Sequence, residues 1–397
     1  MSIIKENKRG FKVLIAGAFV QLSVGIIYVW SVFVKPVSEF YTWDVESVKL
    51  TSSYMLCFFV VGILTGGKLQ EKIGASKVVL IGGLMLAFGM TATAFIPENI
   101  KWLIYVTYGI IGGFGVGAAY NANITAAQKW FPKNRALATG VSVCTFGFST
   151  VIFAPLIELL LSKFGLRNTF LILSVAFTVV VLALFSFIKL PGADVNISAD
   201  SAKLLEKRQY DTGEILRTKT FYFILFSKMF AVATFFIVNP SYKILAVDRG
   251  LDPAAGTALV MITGIANALG RLGAPMLSDK IGREKAAFTV ISLTMLSAVT
   301  LCFARGFLFI VPVAVVAFCY GGFAGIYPVI TADHFGIKNV GSNYGAVMIG
   351  FAVSALFAPM VMSKIPDYTV KFIILAIVAA MGAFCVLLLM LSKKKKQ

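Results

Sequence analysis

MITGIANALGRLGAPMLSDKIG, residues 261–282, decides the fold. The stretch is apolar enough to cross a bilayer, yet Arg271 sits in its middle, well before the next charge at Asp279. A guanidinium at the centre of a membrane helix costs roughly 3 kcal/mol on insertion scales, so Arg271 must face protein, water or a ligand. Lys228, in TFYFILFSKMFAVATFFIV (220–238), is a second cation at similar depth. No Asp or Glu falls at membrane depth to neutralise either one. Two such cations make a place suited to a small anion.

Working outward, the whole chain shares this character. Of its 397 residues 58% are hydrophobic and only 14% charged, with a mean hydropathy of +0.88, which excludes an ordinary soluble domain. Apolar runs of bilayer-spanning length fall at 12–35, 49–67, 77–96, 102–127, 137–161, 169–190, 220–246, 255–278, 285–304, 306–331, 341–363 and 369–391. Gly, with 35 copies, pervades them, and small residues let membrane helices approach closely. The expectation is an all-α integral membrane protein of twelve transmembrane helices in two six-helix halves.

The basic residues predict the orientation. Lys5, Lys8, Arg9 and Lys12, the connections at 68–77, 129–135, 189–219 and 280–285, and the tail Lys393–Lys396 fall on one side if the N-terminus is cytoplasmic. The positive-inside rule then places both termini in the cytoplasm of a cell (plasma) membrane protein. The net charge of +18 is a topology signal plus a polybasic tail, not a nucleic-acid surface, because the cations are scattered over short loops. Cys57, Cys144, Cys302, Cys319 and Cys385 all lie in apolar spans without metal-ligand or paired spacing and read as core residues. The hydrophilic stub before the first span argues against a cleaved signal peptide. No metal, cofactor or enzymatic constellation is expected, and the chain is expected to act as a monomer in the lipid bilayer.

One long charged segment, 191–219, separates residues 1–190 from 220–397 and reads as a cytoplasmic linker between the N-terminal bundle and the C-terminal bundle with its tail. The halves repeat. KLQEKIGASK (68–77) aligns with MLSDKIGREK (276–285) at an offset of 208, and Phe153, Ala154 and Pro155 with Phe357, Ala358 and Pro359 at an offset of 204. Internal repeats are the mark of secondary carriers. In each copy an acid, Glu71 or Asp279, could accept from helix-end N–H groups or a basic partner, and Gly74 or Gly282 permits a tight reversal. Glu71, Lys72, Gly74, Asp279, Lys280, Gly282 and Arg283 are therefore expected to form paired gating turns.

GKLQEKIG and PMLSDKIGR resemble the G-x-L-x-D-R-x-G-R/K loop of the major facilitator superfamily, with Glu71 for the usual Asp and Pro275 where Gly is usual. GIIYVWSVF (25–33), KWFPKNRALATG (129–140) and NALGRLGAPMLSDKIGR (267–283) are similar to the oxalate:formate antiporter family and its monocarboxylate-transporter relatives. The resemblance spans the chain apart from the linker and tail. It implies a twelve-helix alternating-access carrier in which Arg271 holds the substrate carboxylate, a task that suits a planar, permanently charged fork. It also implies that Tyr28, Tyr120, Phe323 and Tyr327 line the cavity, with Trp30 and Gln21 as further candidates; a Tyr hydroxyl could donate to a carboxylate.

The departures from the family shape the substrate expectation. Oxalate carriers have a Lys in the eleventh helix where this chain has Phe351, and many proton-coupled monocarboxylate carriers have an Asp where it has Asn267, which cannot carry a proton. Lys228 is then a second anion ligand or a proton carrier, unless it snorkels to the interface. Asn121, Asn123 and Gln128 serve as cavity groups or interhelical hydrogen bonds; His334 reads as interfacial and Asp333 as a helix-end group. The sequence thus predicts a secondary carrier of a small carboxylate, a monocarboxylate such as formate, lactate or pyruvate, by anion exchange or H+ coupling. An oxalate exchanger using Lys228, or a transporter-like carboxylate sensor, is the alternative.

Overall fold

A computed structural model describes residues 8–191, 208–362 and 364–394. Lys5, the greater part of the expected linker (192–207) and the side chains of Lys393–Lys396 lie outside the described residues. Every regular element among the described residues is helical. The long rods are α1 (Lys8–Tyr41), α2 (Val45–Ile73), α3 (Ala75–Ala94), α4 (105–130), α5 and α6 (135–164 and 166–184), α7 (Lys219–Val238), α8 (Pro253–Ile281), α9 (Arg283–Phe303), α10 (Ile310–Phe335), α11 (Val340–Met362) and α12 (Tyr368–Lys394). Each matches one expected span.

The chain stops and starts these rods by identifiable chemistry. Asp44 caps α2 by accepting from the N–H of Ser47 at 2.9 Å, and Thr218 caps α7 by accepting from Phe221 at 3.2 Å. Gly165, with φ +72°, divides α5 from α6 within one continuous run, 135–184. The expected seventh span, 220–246, is not continuous. It ends at Val238, tightens into a 3-10 turn over Asn239–Ser241 and resumes as a short helix, Tyr242–Asp248, because Pro240 has no N–H to continue the α-helical ladder, although Asn239 itself keeps helical angles (φ −58°, ψ −47°).

The sequence repeat is a backbone repeat. Gly74 (φ +86°, ψ 155°) joins α2 to α3, and Gly282 (φ +96°, ψ 151°) joins α8 to α9 in nearly the same conformation. Any L side chain would be strained there. Close helix crossings repeat too. An added Cβ at Gly117 on α4 would stand 1.9 Å from the Phe59 carbonyl on α2, and one at Gly321 on α10 would stand 2.0 Å from the Asn267 carbonyl on α8. Large apolar side chains such as Phe19, Phe88, Val175, Leu269 and Phe384 are exposed, as a lipid-facing surface requires.

Two compact units result, one of Met1–Ala138, Thr145–Gln209 and Ile337–Ala346, the other of Thr139–Cys144, Tyr210–Gly336 and Val347–Gln397. In the first, α4 packs against α1, α2 and α3; in the second, α8 packs against α10 and α12 against α7 and α9.

Candidate functional site

Arg271 is only 1% exposed, so it lies in the interior of the second unit. Its Nε donates to Asn267 Oδ1 at 2.9 Å, one helical turn back on α8. Its Nη1 donates to the carbonyl of Val143 at 3.3 Å. Both acceptors are neutral, so these bonds fix the guanidinium without cancelling its charge. Val143 belongs to the 139–144 stretch that packs along α8 in this unit; Cys144 Sγ lies 3.4 Å from the Ala268 carbonyl, and a Cβ on Gly140 would stand 3.3 Å from that of Arg271. Pro275, four residues on, has no N–H to offer the Arg271 carbonyl, so this turn of α8 departs from a regular ladder.

Lys228 on α7 is 2% exposed and therefore does not snorkel out to solvent. Its Nζ lies 5.2 Å from the ring centroid of Tyr327 on α10, and the Tyr327 hydroxyl donates to Ser227 Oγ at 2.9 Å. Phe323 packs edge-on to Tyr327 at 6.2 Å. Gly325, two residues before Tyr327, abuts the Arg271 carbonyl, at 2.8 Å from an added Cβ. Gly325 and Tyr327 stand only about 3 Å apart along the axis of α10, so one stretch of α10 touches both the Arg271 backbone and the Lys228 head group. Phe351 is buried with its ring 5.2 Å from Phe236 in a T arrangement. Beside them Phe235 stacks on Tyr320 at 3.7 Å.

The first unit gathers the other aromatic candidates. Tyr28 meets Phe146 edge-on at 5.5 Å, and Phe146 lies 4.7 Å from Tyr120, which in turn lies 5.2 Å from Phe59. Gly25 permits this column, since a Cβ there would stand 2.3 Å from the Phe146 carbonyl. Gln21 donates to the Tyr120 carbonyl at 3.3 Å and Trp30 to the Val48 carbonyl at 3.0 Å. Asn121 bridges helices, donating at 2.8 Å to the carbonyls of both Ile63 and Gly341, whereas Asn123 donates back to Ala119 at 3.0 Å.

At the helix ends, the repeated turns bond differently. Glu71 Oε1 accepts from Ser342 Oγ at 2.5 Å. Asp279 pairs with Arg283 Nη1 at 2.6 Å, and Arg283 Nε also reaches Asp333 Oδ2 at 3.1 Å while Nη1 donates to Ser278 Oγ at 2.7 Å. Lys72 and Lys280 are exposed. His334 Nε2 stands 3.0 Å from Glu284 Oε1.

Sequence reasoning missed Ser342, Ser227 and the pairing of Asp333 with Arg283. Ser342 lies 271 positions from Glu71, and no local pattern links residues so far apart. Ser227 adjoins the flagged Lys228 and was within reach.

The comparisons with known proteins agree with this architecture. A family model for the Major Facilitator Superfamily matches residues 13–359, with a second match over 224–397. An uncharacterized MFS-type transporter, YhjX of Escherichia coli, is 26% identical over 349 residues, covering 86% of this chain and 85% of the relative. The oxalate:formate antiporter of Oxalobacter formigenes is 25% identical over 361 residues (88% and 83%), and monocarboxylate transporter 12 of Xenopus laevis 24% over 387 (91% and 84%). Among solved structures, the E. coli fucose:proton symporter FucP superposes with a TM-score of 0.72 at 14% identity over 95% of this chain and 98% of its own, a likeness of fold alone.

Proposed function

The chain belongs to the major facilitator superfamily, and from that premise we propose that this multi-pass membrane transporter carries a small monocarboxylate such as formate, lactate or pyruvate. The observation that carries this reading is Arg271: a buried guanidinium held by an amide oxygen and a backbone carbonyl. A guanidinium stays protonated in proteins, and its planar fork matches a carboxylate. The similarity to an oxalate:formate antiporter and to a monocarboxylate transporter supports the same substrate class.

Phe351 and Asn267 narrow the choice. An aromatic pair at 351 and 236 offers no second cation from α11, which favours one carboxylate over two. Asn267 gives no proton, so coupling is by exchange of one anion for another or by H+ carried elsewhere, with Lys228 the available group. Lys228 also supports a second reading, a dicarboxylate exchanger in which it meets the other end of oxalate. Alternating access rocks the two six-helix halves, with the turns at 71–74 and 279–282 as the cytoplasmic latch and both termini in the cytoplasm of a plasma-membrane protein.

Uptake of labelled formate, lactate, pyruvate and oxalate into proteoliposomes tests the proposal. Monocarboxylate uptake that falls at least tenfold in Arg271→Ala is expected. Undiminished uptake by that variant removes Arg271 from the site, and uptake of oxalate alone transfers the assignment to the dicarboxylate reading.

A further inference from the structure

Family resemblance brings Tyr327 forward as a ligand acting through its hydroxyl, but that hydroxyl is committed elsewhere. It donates to Ser227 Oγ at 2.9 Å, and Ser227 Oγ donates to the carbonyl of Ile224 at 2.8 Å. A serine hydroxyl has one proton to give, so it accepts from Tyr327 and donates to its own helix without conflict. The phenol is thereby tied to α7 immediately beside Lys228. Its ring centroid lies 5.2 Å from the Lys228 ammonium, within the reach of a cation–π interaction. Tyr327 is 1% exposed, and Phe323, one turn earlier on α10, closes its flank.

Adjacent helix residues point about 100° apart, so Ser227 and Lys228 form the two sides of a notch. The Tyr327 side chain of α10 fills that notch, bonding one side through its hydroxyl and the other through its face.

We infer that Tyr327 and Ser227 are positioning residues for Lys228: Ser227 latches the phenol, and the latched ring presents the ammonium as the second cation of the anion site. The Tyr327 hydroxyl does not touch the anion. This inference rests on the carboxylate reading above and extends it to the means by which a charge in α7 is held. A ring face suits that task better than a carboxylate, because its quadrupole attracts the cation without neutralising it.

The test is a set of double-mutant cycles on the purified full-length chain, with fold checked by monodispersity in detergent. Binding of formate, lactate, pyruvate and oxalate is scored by thermal stabilisation, and the cycles use the acid that binds the wild type most tightly. Lys228→Gln and Tyr327→Leu should each weaken binding roughly tenfold, and the pair together no more than Lys228→Gln alone, because the ring acts through the lysine. Tyr327→Phe and Ser227→Ala remove the same hydrogen bond from opposite ends, so their smaller losses should match and not add. Ser227→Thr should restore binding. If Tyr327→Leu does not fold, the ring-preserving pair carries the test.

Three results overturn the inference: Lys228→Gln binding like the wild type, Tyr327→Leu losing as much affinity in the Lys228→Gln background as alone, or Tyr327→Phe losing far more than Ser227→Ala, which would put the hydroxyl on the anion. Failure of the carboxylate reading looks different. There, the wild type binds none of the four acids or Arg271→Ala binds them normally, whatever the cycles give.

Discussion

Replacing Asn267 by Asp changes one atom of the Arg271 environment and should convert the site. Asn267 Oδ1 accepts the Arg271 Nε–H at 2.9 Å, and Asp has the same shape, so the contact persists with a charge added. The ionised guanidinium already makes the Asn267 bond charge-assisted, so Asp adds the attraction of a second full charge. Two unit charges at about 4 Å attract by roughly 4 kcal/mol at an effective dielectric constant of 20. An incoming carboxylate must now displace or share a partner that holds the guanidinium by up to about 4 kcal/mol more, partly offset by the desolvation of the new carboxylate; a net of about 1.4–2.8 kcal/mol would weaken anion binding about ten- to a hundredfold at neutral pH. Protonation of the new carboxyl removes the competitor, so affinity should recover as the pH is lowered. The sign is fixed: lowering the external pH should stimulate uptake more in the variant than in the wild type. Uptake of labelled lactate and formate into proteoliposomes across a pH series reads this directly. Unchanged affinity at neutral pH, or a loss that acid does not relieve, would refute the view that Arg271 meets the substrate with its charge intact.

Phe351→Lys places a cation in α11 where an edge-on aromatic pair now sits; binding should shift from formate toward oxalate, at a stability cost of about 3 kcal/mol for the lost ring, seen as a lower melting temperature. Gly321→Ala drives a methyl to 2.0 Å from the Asn267 carbonyl, where no rotamer relieves the clash. A loss of at least about 3 kcal/mol should appear as poor recovery of folded protein, whereas Gly264→Ala, with nothing within 4 Å of its Cβ, should be tolerated. Arg283→Met leaves Asp279 and Asp333 without the guanidinium that bridges them; melting in detergent should report a loss of about 2 kcal/mol, and adding Asp333→Asn should return part of it.

What could be read from the sequence follows from the range of the forces involved. Span length, the basic connections and the glycine turns are local facts about hydrophobicity and backbone freedom, and they gave all twelve rods. The seventh span shows the limit of that reasoning. Hydropathy runs on through 239–246, but Pro240 ends the helical ladder, and an average over a window does not register one missing N–H. Arg271 stood out because a charge in an apolar run is anomalous wherever the run folds. Ser227 did not stand out, because a serine next to a lysine is ordinary until a tyrosine a hundred positions later bonds to it.

The sequence by itself determined that this chain crosses a membrane, that its two halves repeat, and that Arg271 and Lys228 are too costly to be idle in lipid. Tertiary structure alone decided the partners that come from elsewhere in the chain: the Val143 carbonyl for Arg271, a tethered ring for Lys228, an aromatic pair at Phe351, and a serine on α11 for Glu71. The physical reason is range. Burial of a charge is a penalty that composition exposes, whereas the geometry that relieves it is made by side chains that only packing brings within 3–5 Å.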